Sequence, residues 1–482
     1  MTSGTLLKSG LWIALATLVT RMSAFLSSLV LARLLQPAEF GIIGIAYVFW
    51  SFFTLFTQDS AGTFIIYKGT ENSKYVNTAY TVSLLIGLFF CLNMVAAAPW
   101  LALFFNEPAL TGILIAFSFN LLLSSATYVY ASVMTRHMQY RVLANISFVC
   151  SVTRLVFTIG AAWLGLSYWS FVIGDTAFWV INCVLTRLYS KYDFRLQIDR
   201  EVSSEVIRFC LGTAGSGLGL YTNFNLDNFT VGKMLGSASL GYYNLAYQLT
   251  ATISAVSSPI LNQLGVPVFA QLPEDHQQKQ ALLNVVQQSA LLTAPVCVLF
   301  FLGLTPEFVT LLFGAKWVSI CTVIPGLLVF TYFRVINSPL YSMLVAKGRP
   351  DINAKVNLQV APVAILSFIV GAQKGGIVGV SLAVATVLGF GWSLYWWWVG
   401  CRELKWPLKE FLIAFCIPLL LIIPGILISF KLPFIVRPIA FVIIYLLSLR
   451  IFLANIFFSY SLMLAQLIRH LAKGKLSCKL PR

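Results

Sequence analysis

Long apolar segments recur along the whole chain, and they restrict the possible folds more than any other feature of the sequence. An α-helix needs about 20 mostly apolar residues to cross the hydrocarbon core of a bilayer. Fourteen stretches approach this length and composition, at residues 11–32, 40–57, 76–98, 109–133, 143–164, 166–188, 209–235, 241–263, 283–303, 319–345, 355–371, 376–398, 411–430 and 434–456. They lack the alternating pattern of a membrane β-strand, so the sequence predicts an all-α, polytopic membrane protein with about fourteen transmembrane helices.

The composition of the 482-residue chain excludes an ordinary soluble protein. Hydrophobic residues make up 59% of the chain and charged residues only 10%, whereas soluble domains carry about 25% charged residues. The nine cysteines occur singly, without CxxC spacing, so neither a disulfide framework nor a metal site is expected. The sequence contains no HExxH, GxSxG or Walker A motif, so we expect neither an enzyme nor a bound cofactor.

The net charge of +16 is explained by membrane topology rather than by nucleic-acid binding. With the N-terminus in the cytoplasm, most Lys and Arg residues fall in cytoplasmic connections and in the tail, as the positive-inside rule describes. The opposite side carries six: Arg33, Lys233, Lys316, Lys374, Lys431 and Arg437. We therefore expect both termini in the cytoplasm, no nucleic-acid partner, and membrane lipids as partners of the basic tail.

One sequence motif occurs twice, as VLARLLQPAEFGIIGIAY at residues 30–47 and as TVGKMLGSASLGYYNLAY at 230–247, and we call it the repeated phrase. The two segments share five residues and one basic position: Leu35/Leu235, Ala38/Ala238, Gly41/Gly241, Ala46/Ala246, Tyr47/Tyr247 and Arg33/Lys233. A second pair, YASVMTR at 130–136 and YSMLVAK at 341–347, follows in the same order. The sequence thus predicts two parallel six-helix repeats, related by a pseudo-two-fold axis along the membrane normal, as in alternating-access transporters. A duplication kept only for folding is the alternative.

The repeats define the predicted domain organisation. An N-terminal lobe (1–190) and a C-terminal lobe (209–400), with six helices each, are joined by a cytoplasmic inter-lobe loop (191–208). Two further helices (401–460) and a basic cytoplasmic tail (461–482) complete the chain.

Three arginines, Arg21, Arg154 and Arg334, lie within predicted membrane helices, where a charge at mid-bilayer costs at least about 2.5–3.5 kcal/mol. Two acids, Asp175 and Asp227, also lie inside membrane segments and can neutralise two of the cations at most. The surplus predicts a cationic cavity for an anionic substrate, because guanidinium groups pair well with phosphate. The alternative for each arginine is a structural ion pair or a clamp on backbone carbonyls between helices.

Polar side chains in the membrane segments extend the set of candidate substrate contacts. They are Asn223, Asn225, Asp227, Asn337 and Tyr341. The last two follow Arg334 at i+3 and i+7, on the same helical face. Amides and hydroxyls on a wet wall can bind sugar hydroxyls, but they are equally suited to hydrogen bonds between helices. Asp175 and Asp227 are also the candidates for coupling to a proton or another cation.

Four segments resemble the bacterial polysaccharide transporter family: residues 30–47, LDNFTVGKMLGSASLGYYNLAY at 226–247, LLFGAKW at 311–317 and SPLYSMLVAKGRPDINAKVN at 338–357. The resemblance is closest to the Wzx-type flippases of colanic and teichuronic acid export, in the superfamily that also contains multidrug extruders and peptidoglycan-precursor flippases. It implies a V-shaped, two-lobe flippase in the inner membrane that moves undecaprenyl-diphosphate-linked oligosaccharide from the cytoplasmic to the periplasmic leaflet. It also implies a polysaccharide polymerase and export machinery as partners. Arg21 is similar in position to arginines that line the cavity of lipid-precursor flippases.

Three other classes of protein share part of this pattern. A drug or cation antiporter of the same fold would favour acidic residues in the cavity, whereas here the cations outnumber the acids. A membrane oligosaccharide polymerase or ligase would need a large external loop, and the predicted external connections are short. A scaffolding protein would leave the repeat and the intramembrane arginines unexplained.

Overall fold

The computed structural model describes residues 20, 22–57, 60–272, 274–349, 351–429, 431–433 and 436–452. Throughout these ranges, every regular element is a helix. Arg21 and the predicted tail at 461–482 lie outside the described residues.

Fifteen α-helices occur in the described ranges. They are α1 (Met22–Leu34), α2 (Pro37–Thr57), α3 (Ser60–Lys68), α4 (Ser73–Phe105), α5 (Ala109–Arg136), α6 (Tyr140–Trp163), α7 (Trp169–Ser190), α8 (Arg200–Gln271), α9 (Asp275–Gly303), α10 (Pro306–Leu312), α11 (Ile324–Ala346), α12 (Asp351–Ala383), α13 (Trp392–Leu404), α14 (Leu408–Ser429) and α15 (Arg437–Phe452). A 3-10 helix (Ala315–Thr322) precedes α11, and a π-helical segment (Val384–Gly391) joins α12 to α13.

Eight helical segments of the described residues are long and apolar enough to cross a membrane. The 3-10 helix and α11, which meet at 54°, would add a ninth if they form one span. These segments confirm the predicted all-α, polytopic membrane protein, whereas the total of fourteen transmembrane helices stays a prediction.

Glycines break two of the longest helical segments. Gly236 in α8 has φ 84° and Gly376 in α12 has φ 56°, and glycine adopts such values without a Cβ clash. The Tyr243 hydroxyl donates to Asp227 Oδ2 at 2.8 Å across 16 positions, which would span about 24 Å in a straight helix. The chain of α8 therefore folds back at Gly236, and we call residues 200–235 and 237–271 its first and second arms.

The repeated phrase lies where α2 packs against the second arm of α8. A Cβ atom on Gly41 would lie 1.7 Å from the carbonyl oxygen of Ser237, and one on Gly241 would lie 1.8 Å from that of Pro37. Ser237 and Gly241 each stand 200 positions after Pro37 and Gly41, so the two contacts are reciprocal, as they are across a two-fold axis. This geometry supports the predicted division into two repeats.

The ordered connection between α7 and α8 is shorter than the predicted loop at 191–208, because α8 already begins at Arg200. The Asp199 carboxylate caps the helix by accepting backbone hydrogen bonds from its first turn. The preceding extended segment is held against α4, where the Gln197 N–H donates to the Thr81 hydroxyl at 3.0 Å. The connection is thus fixed to the predicted N-terminal lobe.

Candidate functional site

A cavity of about 750 Å³ lies between α1, α2, α6, α7, the second arm of α8 and α11. Its wall is rich in hydroxyl and amide side chains: Thr20, Ser23, Ser27, Ser28, Ser151, Thr158, Gln248, Thr252, Ser254 and Ser258. Within the described part of the chain, the charged side chains on this wall are Arg154 and Arg334. Two of the three predicted arginines, one from each predicted lobe, therefore meet at one polar cavity.

Arg154, on α6, is held in an ion pair. Its Nε atom lies 2.5 Å from Oδ1 of Asp175 on α7, and its Nη2 atom donates to the hydroxyl of Tyr47 on α2 at 3.0 Å. The Tyr47 hydroxyl in turn donates to Oδ2 of Asp175 at 2.5 Å. The Asp175 carboxylate therefore offsets the guanidinium charge, and it takes part in a contact that joins α2, α6 and α7.

Arg334, on α11, has a different environment. Its Nη1 atom donates to the hydroxyl of Tyr247 at 3.3 Å, and its guanidinium lies 4.3 Å from the ring centroid of Phe224. Among the described residues, the ion pairs do not include Arg334. The described cavity wall thus keeps a net positive charge, located at Arg334.

The two tyrosines that receive these hydrogen bonds, Tyr47 and Tyr247, are equivalent positions of the repeated phrase. Both line the cavity. Sequence reasoning aligned them but did not assign them to the site, although the conservation of a tyrosine between the repeats was a usable signal. It also missed Ser23 and Ser27 of α1, which line the cavity at the i, i+4 spacing of one helical face.

Two predicted candidates on α11 do not line the cavity. The Asn337 side chain is buried and donates to the Ser393 hydroxyl at 2.8 Å, while its Oδ1 accepts from Trp397 Nε1 at 3.1 Å. Tyr341 is partly buried against the apolar core. The i+3, i+7 stripe from Arg334 therefore turns away from the cavity into packing between helices.

The three candidates on the first arm of α8 also lie outside the cavity wall. Asn223 donates to Oδ1 of Asn357 at 2.7 Å, and Asn225 donates to a carbonyl of its own helix. Asp227 is 1% exposed and accepts from Tyr243 within the α8 hairpin. In this conformation Asn223 and Asp227 bond to neighbouring helical segments, which is the alternative that the sequence left open, and Asn225 bonds within its own helix.

A polytopic helical bundle with a polar, cationic cavity between repeated helices has the architecture of a membrane transporter. The model of the polysaccharide biosynthesis protein family matches residues 30–322. This is more than half of the chain, and the chain belongs to this family. The family resemblance read from the sequence is thereby confirmed.

Individual proteins agree with this assignment. The chain is 22% identical over 432 residues to the lipopolysaccharide biosynthesis protein WzxC of Escherichia coli K12, covering 88% of this chain and 87% of WzxC. Its fold is similar to the inward closed conformation of the Lipid II flippase MurJ, with a TM-score of 0.75 at 14% identity over 92% of this chain and 98% of that chain. An inward-facing multidrug resistance transporter of the MATE family gives a TM-score of 0.63 at 12% identity, over 82% and 99% of the two chains.

Proposed function

We propose that this protein is a flippase that moves undecaprenyl-diphosphate-linked oligosaccharide repeat units from the cytoplasmic to the periplasmic leaflet of the bacterial inner membrane. Membership of the polysaccharide biosynthesis family supports a polysaccharide precursor as the substrate. WzxC is a lipopolysaccharide biosynthesis protein and MurJ is a Lipid II flippase, which supports a lipid-linked precursor here.

The positive charge of Arg334 on the cavity wall carries this proposal. A planar guanidinium forms paired, charge-assisted hydrogen bonds with phosphate oxygens. Arg334 has a tyrosine hydroxyl and an aromatic face as its partners but no carboxylate among the described residues, so its charge is available to an anionic ligand. The serine and threonine hydroxyls around it supply hydrogen bonds for the sugars.

The membrane potential favours export of such a substrate. Moving one elementary charge across the membrane is worth about 2.3 kcal/mol per 100 mV, so two uncompensated negative charges gain about 4–5 kcal/mol when they leave an inside-negative cell. The direction of transport then follows from the charge of the diphosphate.

We assign both termini to the cytoplasm, because this orientation places most of the basic residues on the cytoplasmic side. The two predicted lobes (1–190 and 209–400) alternate access to the cavity by moving against each other. Polysaccharide polymerase and export machinery would receive the product on the far side.

Asp227 is the better of the two candidates for ion coupling. Asp175 is engaged by Arg154, whereas the donors to Asp227 among the described residues are neutral: the Tyr243 hydroxyl and the groups of Asn228. A buried carboxylate without a cationic partner can exchange a proton or another cation during transport.

Deletion of the gene tests the function directly. Lipid-linked repeat units should accumulate on the cytoplasmic leaflet while their synthesis continues, and the gene supplied in trans should restore export. Normal appearance of repeat units on the periplasmic leaflet of the deletion strain would contradict the proposal.

The similarity to a MATE transporter favours cation or drug antiport as the second candidate. Cationic substrates require an available carboxylate in the cavity, and the described wall has arginines as its charged groups. Export of a cationic dye that depends on this protein would support the second candidate.

A further inference from the structure

Contacts between the two predicted lobes bring one end of the helical bundle together. We call the region around Arg33, Gly41, Lys233 and Gly241 the closed end. Gly41 and Gly241 bring α2 and the second arm of α8 into backbone contact there. Two basic residues of the same repeated phrase extend these contacts.

Arg33 holds the C-terminal end of α10. Its Nε atom donates to the carbonyl of Leu312 at 2.7 Å, and its Nη2 atom donates to the carbonyl of Leu311. These are the last two residues of α10, and Gly314 at φ 101° follows shortly after. A side chain of the N-terminal lobe therefore caps a helix of the C-terminal lobe.

Lys233 makes the converse contact. Its Nζ atom donates to the carbonyl of Phe104 and lies 4.0 Å from the centroid of the Phe104 ring. Phe104 belongs to the last turn of α4, which ends at Phe105 and is followed by Asn106 at φ 56°. Here a side chain of the C-terminal lobe caps a helix of the N-terminal lobe.

The two contacts are equivalent by sequence and by chemistry. Arg33 and Lys233 occupy the same position of the repeated phrase, and each donates to carbonyls that have no partner within their own helix. A cation also interacts favourably with the negative end of the helix dipole. Both side chains are exposed, so water can replace the carbonyls when the lobes separate.

A third contact strengthens the closed end from the C-terminal lobe. The Lys316 ammonium donates to the carbonyls of Arg33 at 3.1 Å and Leu35 at 2.7 Å, and Trp317 Nε1 donates to that of Ala32 at 2.7 Å. The end of α1, a helix of the cavity wall, is thus capped by the opposite lobe.

We propose that Arg33 and Lys233 are a matched pair of latches that hold this end of the cavity closed. Opening of the cavity toward this side requires both cations to leave the helix ends that they cap. Loss of either latch shifts the resting population toward the conformation that is open at this end.

Thiol labelling of the cavity tests the latches without any substrate, so the result is independent of what the protein carries. A single cysteine, Ala251→Cys on the cavity wall, is introduced into a variant that lacks the nine native cysteines. A membrane-impermeant maleimide is applied from either side of vesicles, and the ratio of the two labelling rates reports which end is open.

Arg33→Gln and Lys233→Gln should each raise the labelling rate from the closed-end side about two- to fivefold relative to the rate from the other side, as expected for the loss of a cation at a helix C-terminus. The double variant should raise this ratio further. Lys374→Gln removes an equal charge on the same predicted side and should leave the ratio unchanged, as should Lys233→Arg, which keeps the cation. If the double variant is not monodisperse, the labelling ratios of the two single variants alone decide the test. An unchanged ratio in folded Arg33→Gln and Lys233→Gln proteins would overturn the proposal.

Discussion

The Nε atom of Arg154 lies 2.5 Å from Oδ1 of Asp175 on the wall of the central cavity. This ion pair distinguishes Arg154 from Arg334, although the sequence predicted the same role for both. Arg154 is neutralised by a neighbouring helix, whereas Arg334 faces the cavity with a tyrosine hydroxyl and an aromatic ring as partners. We therefore assign recognition of an anionic substrate to Arg334 and a structural role to Arg154.

Asp175→Asn should destabilise the protein more than the double variant Arg154→Gln/Asp175→Asn does. The single change leaves a guanidinium unpaired, and because the Arg154 side chain is 38% exposed the expected loss of unfolding free energy is about 1–3 kcal/mol, below that of a fully buried pair. Thermal unfolding of both variants and of Arg154→Gln in detergent completes the double-mutant cycle. Additive losses would show that the pair is not coupled.

Gly41→Ala and Gly241→Ala should prevent complete closure between α2 and the second arm of α8. Each new methyl group would lie within 2 Å of a backbone carbonyl oxygen, so the helices must separate. The distance between spin labels at the exposed positions Leu103 and Leu311 should increase in both variants. Gly160→Ala is the matched control, because its Cβ would meet nothing within 4 Å. An unchanged distance in Gly41→Ala would refute this packing.

Asn337→Ala should lower stability rather than substrate affinity. The substitution leaves Trp397 Nε1 and the Ser393 hydroxyl without their partner in a buried site, at a cost of about 1–3 kcal/mol. Asn225→Ala removes only a bond to the carbonyl of its own helix and should cost much less. Equal thermal stability of the two variants would contradict the structural role of Asn337.

The sequence was sufficient for the membrane architecture and for part of the site, because both depend on local features. Apolar length predicts helices, and the cost of an intramembrane charge predicted that Arg154 and Arg334 face protein or water. The repeated phrase predicted two repeats, but not that its two copies pack against each other between α2 and the second arm of α8.

The partners of the intramembrane charged and polar residues could not be predicted from the sequence. Whether Asp175 or Asp227 meets Arg154 depends on which helices are neighbours, and that is a property of tertiary packing. A polar stripe on a helix has the same spacing whether it faces water or another helix. The amides of Asn223 and Asn337 were therefore predicted as cavity groups, although they bond between helices in the structure.

Recognition of the diphosphate by Arg334 is tested by the affinity of the purified protein for undecaprenyl diphosphate, compared with its affinity for uncharged undecaprenol. Arg334→Gln should weaken diphosphate binding about 10- to 100-fold, since a hydrogen bond to a charged group contributes about 1.5–3 kcal/mol, and should leave undecaprenol binding unchanged. Arg334→Lys keeps the charge but loses the planar fork, so its affinity should lie between those of Arg334→Gln and the parent protein. Lys374→Gln should retain the full affinity. If folded Arg334→Gln binds the diphosphate as tightly as the parent protein does, Arg334 does not recognise the anionic substrate.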